Sequence, residues 1–309
     1  MAGALVSGGN GFLGSHLVEK LLKECLEITV VDDLSTMEEM NLPKDVRFVK
    51  KKIENFKTEE KFDYVIHMAA RPSPEDYIQN PIDTLMSNSK GTKVMLDIAR
   101  LSNAVFLYTS SSEVYGEAST IPTPESYFGY VNSIGPRSCY DEGKRYSESL
   151  IMAYYRQFNL DVRIERPFNV YGPRIRADGF YGRVIPRFVT SALNDKDLII
   201  YGDGQQTRSF LYVNDWVDAT WTFLTERNLS GQFINVGSRD EITINDLAEK
   251  IVNITSSQSK IVRVEGRQDD PRRRAADITK AGELLKWKSM TSLDEGLRQT
   301  ISWFKGREI

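Results

Sequence analysis

Along the first 110 residues, short runs rich in β-branched and aliphatic side chains alternate with longer stretches of helical pattern. Ala4-Leu5-Val6, Glu27–Val31, Val46–Val49, Tyr64–His67 and Val105–Tyr108 read as strands, and Phe12–Lys23 reads as a helix. A second helix is expected over 141–158, and Val162–Glu165 adds a strand after it. Strands separated by helices predict βαβ units and a doubly wound parallel sheet, so the class is α/β. Beyond residue 165 the punctuation changes. Pro167, Gly172-Pro173, Gly179, Gly182 and Pro186 mark a loop-rich stretch. A helix over 184–194, a turn at Asp203-Gly204 and helices over 243–256 and 279–286 follow. Two apolar stripes stand at helical spacing, one through Ser147, Leu150, Ile151, Tyr154 and Tyr155, the other through Val94, Leu96, Ile98, Ala99 and Leu101. Core packing is the commonest fate of such stripes.

Composition narrows the function. Forty Lys and Arg stand against 43 Asp and Glu across 309 residues, a net charge of −3. No global basic field for nucleic acid exists. Only His16, His67, Cys25 and Cys139 carry imidazole or thiol. That supply excludes a zinc site built mainly from His and Cys and a disulfide-dense scaffold, leaves carboxylate-bound Mg²⁺ or Ca²⁺ open, and gives no metal site to assign. The start shows no secretory signal pattern, and no apolar stretch reaches the ~18 residues of a membrane span. A cytoplasmic, membrane-free protein is expected. The run Arg272-Arg273-Arg274 reads by default as a solvated face.

Gly8, Gly11 and Gly14 follow the first strand and open the first helix, with Phe12 and Leu13 between the last two. This is a variant of the dinucleotide fingerprint: glycines allow a tight turn, close approach of pyrophosphate to backbone, and close helix–strand packing. Asp32 ends the second strand 18 residues after Gly14, near the ~20 expected for the carboxylate that holds the adenosine ribose. Asp32 and Asp33 together repel a 2′-phosphate, so NAD is expected rather than NADP. Ala69, past the strand end at His67, is read as a close-packing cofactor contact and His67 as structural. Further on, Tyr140 and Lys144 lie four apart, on one face of a helix. A nearby ammonium lowers the tyrosine pKa and makes a phenolate base. Thr109, Ser110, Ser111, Ser112 and Glu113 close a strand, where ligands sit in such sheets. Cys139 has no His partner and reads as a small buried residue.

These residues resemble the extended short-chain dehydrogenase/reductase (NAD-dependent epimerase/dehydratase) superfamily, and within it most closely the UDP-glucuronic acid decarboxylases, or UDP-xylose synthases. The segment from Asn132 to Arg145 carries most of the likeness, with Ser112–Gly116, Phe168-Asn169, Gly172–Arg174, Gln206–Arg208, and Asp269-Asp270-Pro271 followed by Arg274. The resemblance implies a Rossmann NAD-binding domain over 1–165 and a smaller C-terminal α/β substrate-binding domain over 166–309, with some segments returning to the first. It implies that Tyr140 takes the proton of the sugar C4 hydroxyl and that Lys144 contacts the nicotinamide ribose. Ser111 bonds the reacting hydroxyl, Glu113 orients the ring or handles protons, and Arg274 lies near the substrate carboxylate. Ser112, Asn169, Arg183 and Arg208 become contacts to a UDP-sugar, and the superfamily's usual packing implies a homodimer. Lys50-Lys51-Lys52 stands where relatives carry an Asp toward adenine. A UDP-hexose 4-epimerase and a nucleotide-sugar 4,6-dehydratase are the neighbouring readings; the dehydratase needs an acid where Ser112 stands. A catalytically idle NAD-binding module is the reading of a different class.

Overall fold

The computed structural model describes residues 2–37, 39–177, 183–266 and 272–307. Its centre is a seven-stranded sheet: β1 (Gly3–Ser7), β2 (Glu27–Asp32), β3 (Arg47–Lys50), β4 (Tyr64–His67), β5 (Val105–Thr109), β6 (Val162–Pro167) and β7 (Gln232–Val236). The order across the sheet is β7-β6-β5-β4-β1-β2-β3, and every pairing is parallel. Helices cover both faces, which is why residues 4–7 of β1 and 65–67 of β4 are all buried rather than alternating. The winding reverses between β1 and β4, and the crevice beyond their carboxyl ends is where such sheets bind ligands.

Three helices position the site. α1 (Phe12–Lys23) turns Gly14, Leu17, Val18 and Leu21 inward, the spacing of one helical face. α2 (Thr92–Ser102) and α3 (Ser138–Phe158) pack on the other face, each ending at an asparagine with φ of 53° (Asn103 and Asn159), where the left-handed conformation closes the last turn. Both apolar stripes are largely core: Leu96, Ile98, Ala99, Ser147, Ile151 and Tyr154 are buried, while Leu101 is exposed.

The C-terminal half adds small sheets. Leu198–Tyr201 pairs in parallel with Ile261–Val264. Thr207–Ser209 lies between Glu241–Thr243 and Arg273–Arg274, in a register that sets Arg274 beside Arg208. The helices over 184–193, 244–255 and 279–285 lie where the punctuation placed them. The sequence pattern gave no sign of the helices α4 (Val213–Thr225) and α5 (Leu293–Lys305). In α5 the obstacle is Gly296, a poor helix former. The structure uses its missing side chain, because a Cβ there would meet the Tyr171 hydroxyl at 2.1 Å. Two short proline-led helices, Pro74–Gln79 and Pro81–Met86, were likewise unforeseen; they run through a wide π turn at Ser87–Gly91 into α2. Among the described residues, no helix is long and apolar enough to cross a membrane.

Candidate active site

The turn after β1 is built to admit a ligand's backbone-hugging group. Gly8 has φ of +72°, and a Cβ on it would stand 2.6 Å from the Ala69 amide. A Cβ on Gly14 would stand 2.2 Å from the Gly8 carbonyl. Only bare backbone leaves the cradle open. At its far side, Asp32 Oδ2 accepts from the Asn10 amide at 3.0 Å and Oδ1 from the Leu34 amide at 2.9 Å. Burial pushes the Asp32 carboxyl up from its usual value. Asn10 ties this end to the following loop, donating to the Met37 and Glu39 carbonyls and accepting from the Asn41 amide. Lys51 and Lys52 border the same cleft, and Lys52 pairs with Asp83 at 3.0 Å. The glycine cradle, the aspartate pair and the Ala69 wall together fit a dinucleotide.

Deeper in the cleft, α3 presents Tyr140 and Lys144 one turn apart. The Lys144 ammonium donates to the Thr109 carbonyl at 2.8 Å and stands 4.6 Å from the centre of the Tyr108 ring and 5.8 Å from that of Tyr140. The Tyr140 ring stacks on Tyr77 at 5.1 Å with planes 9° apart. Spacing alone makes Lys144 the group that acidifies Tyr140. In the folded chain burial outweighs every favourable contact and pushes Tyr140 up to about 12, with the Ser111 hydroxyl pulling the other way. Burial likewise lowers Lys144 to about 7, opposed by the carboxylates of Glu148 and Glu165.

Beside Tyr140 lies a charge cluster. Ser111 caps a short 3₁₀ turn, Ser112–Tyr115, its hydroxyl accepting from the Glu113 amide at 3.2 Å. The Glu113 carboxylate then sits between two guanidiniums: Arg137 donates to Oε2 at 2.6 Å and Arg274 donates to Oε1. Against the cost of burial, Arg274 and Arg137 hold Glu113 down at about 2. Arg274 is thus an inward residue, and the solvated-face reading fails for it. Arg273 keeps that role, bound to Glu241 at a half-exposed position. Next to Tyr140, Asp141 approaches Arg137 to 3.9 Å. Burial first, and Glu113 second, raise it to about 7.

The structure gathers the sequence candidates into one cavity of about 800 Å³: Gly8, Gly11, Phe12, Leu13, Gly14, Asp32, Asp33, Ala69, Thr109, Ser111, Ser112, Glu113, Tyr140, Lys144, Asn169, Arg183, Arg208 and Arg274 all line it. Asn169 also has structural work, its amide donating to the Ser209 carbonyl at 2.9 Å with φ of 43°. Arg137 and Tyr77 border the cavity too and were missed. Arg137 stands three residues before Tyr140, in the first turn of approach to α3, and that proximity was the available signal. Tyr77 sits on a helix the pattern did not show. Gly179, Gly182 and Asp269-Asp270-Pro271 lie outside the described residues. His67 is buried between Ser7 and Thr92, 2.6 and 3.1 Å away, and burial drives it down to about 3, so it stays neutral. His16 meets the Pro173 carbonyl at 2.9 Å, and Cys139 is buried against the Tyr77 carbonyl.

Three comparisons place this arrangement among known proteins. A UDP-glucuronic acid decarboxylase 1 from Danio rerio is 40% identical over 309 residues, covering 99% of this chain and 73% of the relative. A UDP-glucose 4-epimerase from Thermotoga maritima, solved with UDP-glucose, superposes with a TM-score of 0.92 at 30% identity, covering 98% of this chain and 99% of that one. A UDP-glucuronic acid 4-epimerase variant from Bacillus cereus, solved with a fluorinated UDP-glucuronic acid analogue and NAD, superposes with a TM-score of 0.87 at 29% identity, covering 98% and 99%. The sequence profile of the NAD dependent epimerase/dehydratase family matches residues 4–237. The chain belongs to the NAD dependent epimerase/dehydratase family.

Proposed function

We propose that this protein decarboxylates UDP-glucuronate to UDP-xylose. The observation that carries the reading is the Arg137–Glu113–Arg274 cluster beside Tyr140: two cations converge where an acidic sugar would present its C5 carboxylate. A carboxylate on an ordinary sugar carbon does not leave, because a bare carbanion would form. Oxidation at C4 turns the sugar into a β-keto acid, and the electrons freed with CO₂ then spread into an enolate. NAD held in the glycine cradle would supply the acceptor for the C4 hydride, and the hydride would return to C4 once C5 has taken a proton from solvent in place of the lost CO₂.

The chain's own residues do the rest. Tyr140 takes the C4 hydroxyl proton, and the Ser111 hydroxyl draws the phenol toward ionisation. Burial leaves Tyr140 a neutral phenol, so its ionisation depends on positive charge arriving with the ligands. Proton removal is therefore contingent on a filled site. Arg274 and Arg137 hold the substrate carboxylate and then face the oxyanion of the enolate. Glu113, ionised by those arginines, orients them and has no proton to give. Gly8, Gly11, Phe12, Leu13, Gly14, Asp32, Asp33, Ala69 and Thr109 hold the dinucleotide. Ser112, Asn169, Arg183 and Arg208 contact the UDP-sugar. Residues 1–165 form the nucleotide half and 166–309 the sugar half, with β7 lent back to the central sheet.

The likeness to a UDP-glucuronic acid 4-epimerase makes epimerisation the second reading, since that protein too takes an acidic sugar. Incubation with UDP-glucuronate and NAD⁺ in D₂O decides between them. A product lighter by one CO₂ with deuterium at C5 supports decarboxylation; an isomer of unchanged mass overturns it. We also infer a homodimer. Ile82, Leu85 and Met86 on one short helix and Tyr146 on α3 are exposed apolar residues, Ile82 at 75%, and a shallow groove runs between Leu85 and Tyr146. A monomer mass by light scattering at micromolar concentration would refute this.

A further inference from the structure

Behind the helix that carries Tyr140 and Lys144 lies a carboxyl group that the chemistry above leaves unused. Glu165 stands on β6, an interior strand of the sheet, with 0% of its surface exposed. Its oxygens accept from the hydroxyls of Thr109 on β5 and Thr220 on α4, each at 2.8 Å. Both donors are neutral. A carboxyl in so dry a place is costly unless a charge answers it.

Lys144 is the answering charge. It is equally buried, and its ammonium donates to the carbonyl of Thr109, the residue whose hydroxyl donates to Glu165. Thr109 thus links the two through its backbone at one end and its side chain at the other. The other titratable groups around Lys144 are committed elsewhere. Glu148, on its own helix, is bound by Arg166 at 2.5 and 2.9 Å and by Ser110 at 2.6 Å. His67 on β4 is held neutral by burial. Tyr108 on β5 is pushed well above its ordinary range, and Tyr140 upward as well. Glu165 is the carboxylate in this shell with no guanidinium or ammonium in ion-pair contact among the described residues.

We propose that Glu165 is a positioning residue for the reaction: acting through Thr109 and across the low-dielectric core, its carboxylate keeps Lys144 an ammonium and so fixes the pH range in which Tyr140 can work. The mutual influence runs both ways. Burial raises Glu165 and lowers Lys144; Glu148 and then Glu165 pull Lys144 back up, and Lys144 pulls Glu165 back down. The role rests on the reading of Lys144 as the partner of Tyr140, and its test does not depend on which sugar is the substrate.

The ¹³Cε resonance of Lys144, assigned by its loss in Lys144→Arg, is titrated in wild type and in Glu165→Gln without substrate. The glutamine variant is expected to move the Lys144 titration to lower pH by about one unit. The alkaline limb of kcat/KM follows, so turnover at pH 8 falls about tenfold while turnover at pH 6 stays within about twofold. Thr220→Val keeps the carboxylate and removes one of its donors. It should shift the titration the same way by less, and it decides the matter if Glu165→Gln fails to fold. A Lys144 titration unmoved in both variants overturns the proposal. A moved titration in a protein that does not turn over UDP-glucuronate supports it and sinks the proposed substrate instead.

Discussion

Glu113→Gln tests the charge cluster on which the substrate assignment rests. The two arginines lower the Glu113 pKa from 4.5 to about 2. At about 1.4 kcal/mol per pH unit, that difference is worth about 3 kcal/mol of folding stability. Because the folded-state value is depressed, the contribution is complete above about pH 4.5 and disappears as pH falls through about 2. By pH 3 about 2 kcal/mol of it is gone on this linkage. The glutamine variant has no proton to exchange there. Its deficit relative to wild type, measured by urea unfolding, should therefore shrink by about 2 kcal/mol between pH 7 and pH 3. The constant part of the deficit, from two guanidiniums left without their anion, cancels in that comparison. A deficit that stays the same at both pH values would show that Glu113 is not held ionised by Arg137 and Arg274. The acidic-sugar reading would then lose its support.

Other consequences are as direct. Tyr140→Phe removes the group proposed to take the hydroxyl proton while leaving the stack on Tyr77, so turnover should fall at least a hundredfold with NAD affinity unchanged by fluorescence titration. Gly14→Ala drives a methyl into the Gly8 carbonyl, so thermal unfolding should show a loss of about 1–3 kcal/mol, and NAD binding should weaken in calorimetry. Arg137→Met removes one of the two guanidiniums proposed to hold the sugar carboxylate, so the KM for UDP-glucuronate should rise at least tenfold, while the Kd for UDP-glucose stays within twofold.

The cofactor half of the site was legible because its chemistry is local. A strand, three glycines, a helix and an aspartate lie within 25 residues, from Gly8 to Asp32, and each announces itself. Tyr140 and Lys144 were legible for the same reason. The charge cluster was legible in part. Glu113 and Arg274 are 161 residues apart, and only the resemblance brought them together. Arg137, beside Tyr140 in sequence, was passed over because nothing local distinguishes a guanidinium that clamps a carboxylate from one that faces water. Glu165 was read as a plain strand residue, since a carboxyl between Arg163 and Arg166 looks like surface patterning until β6 is seen to have strands on both sides. The stacked Tyr77 was hidden because two proline-led helices and a π turn match neither strand nor ordinary helix periodicity.

The strand lent back to the sheet has a genetic consequence. β7 pairs residue by residue with β6, from Gln232 on Arg163 to Val236 on Pro167. Its Asn235 is cross-linked to the Tyr115 hydroxyl and to the Thr123 and Asp277 carbonyls. A gene cut after codon 165 would therefore not yield a free-standing nucleotide binder. It would yield a chain whose sheet ends at a severed β6, cut between Glu165 and Arg166 and bare of its β7 partner, the geometry that recruits other chains and precipitates. The two halves of this protein cannot be exchanged as cassettes between relatives at that boundary. A viable chimera must carry the segment through Val236 along with the first half.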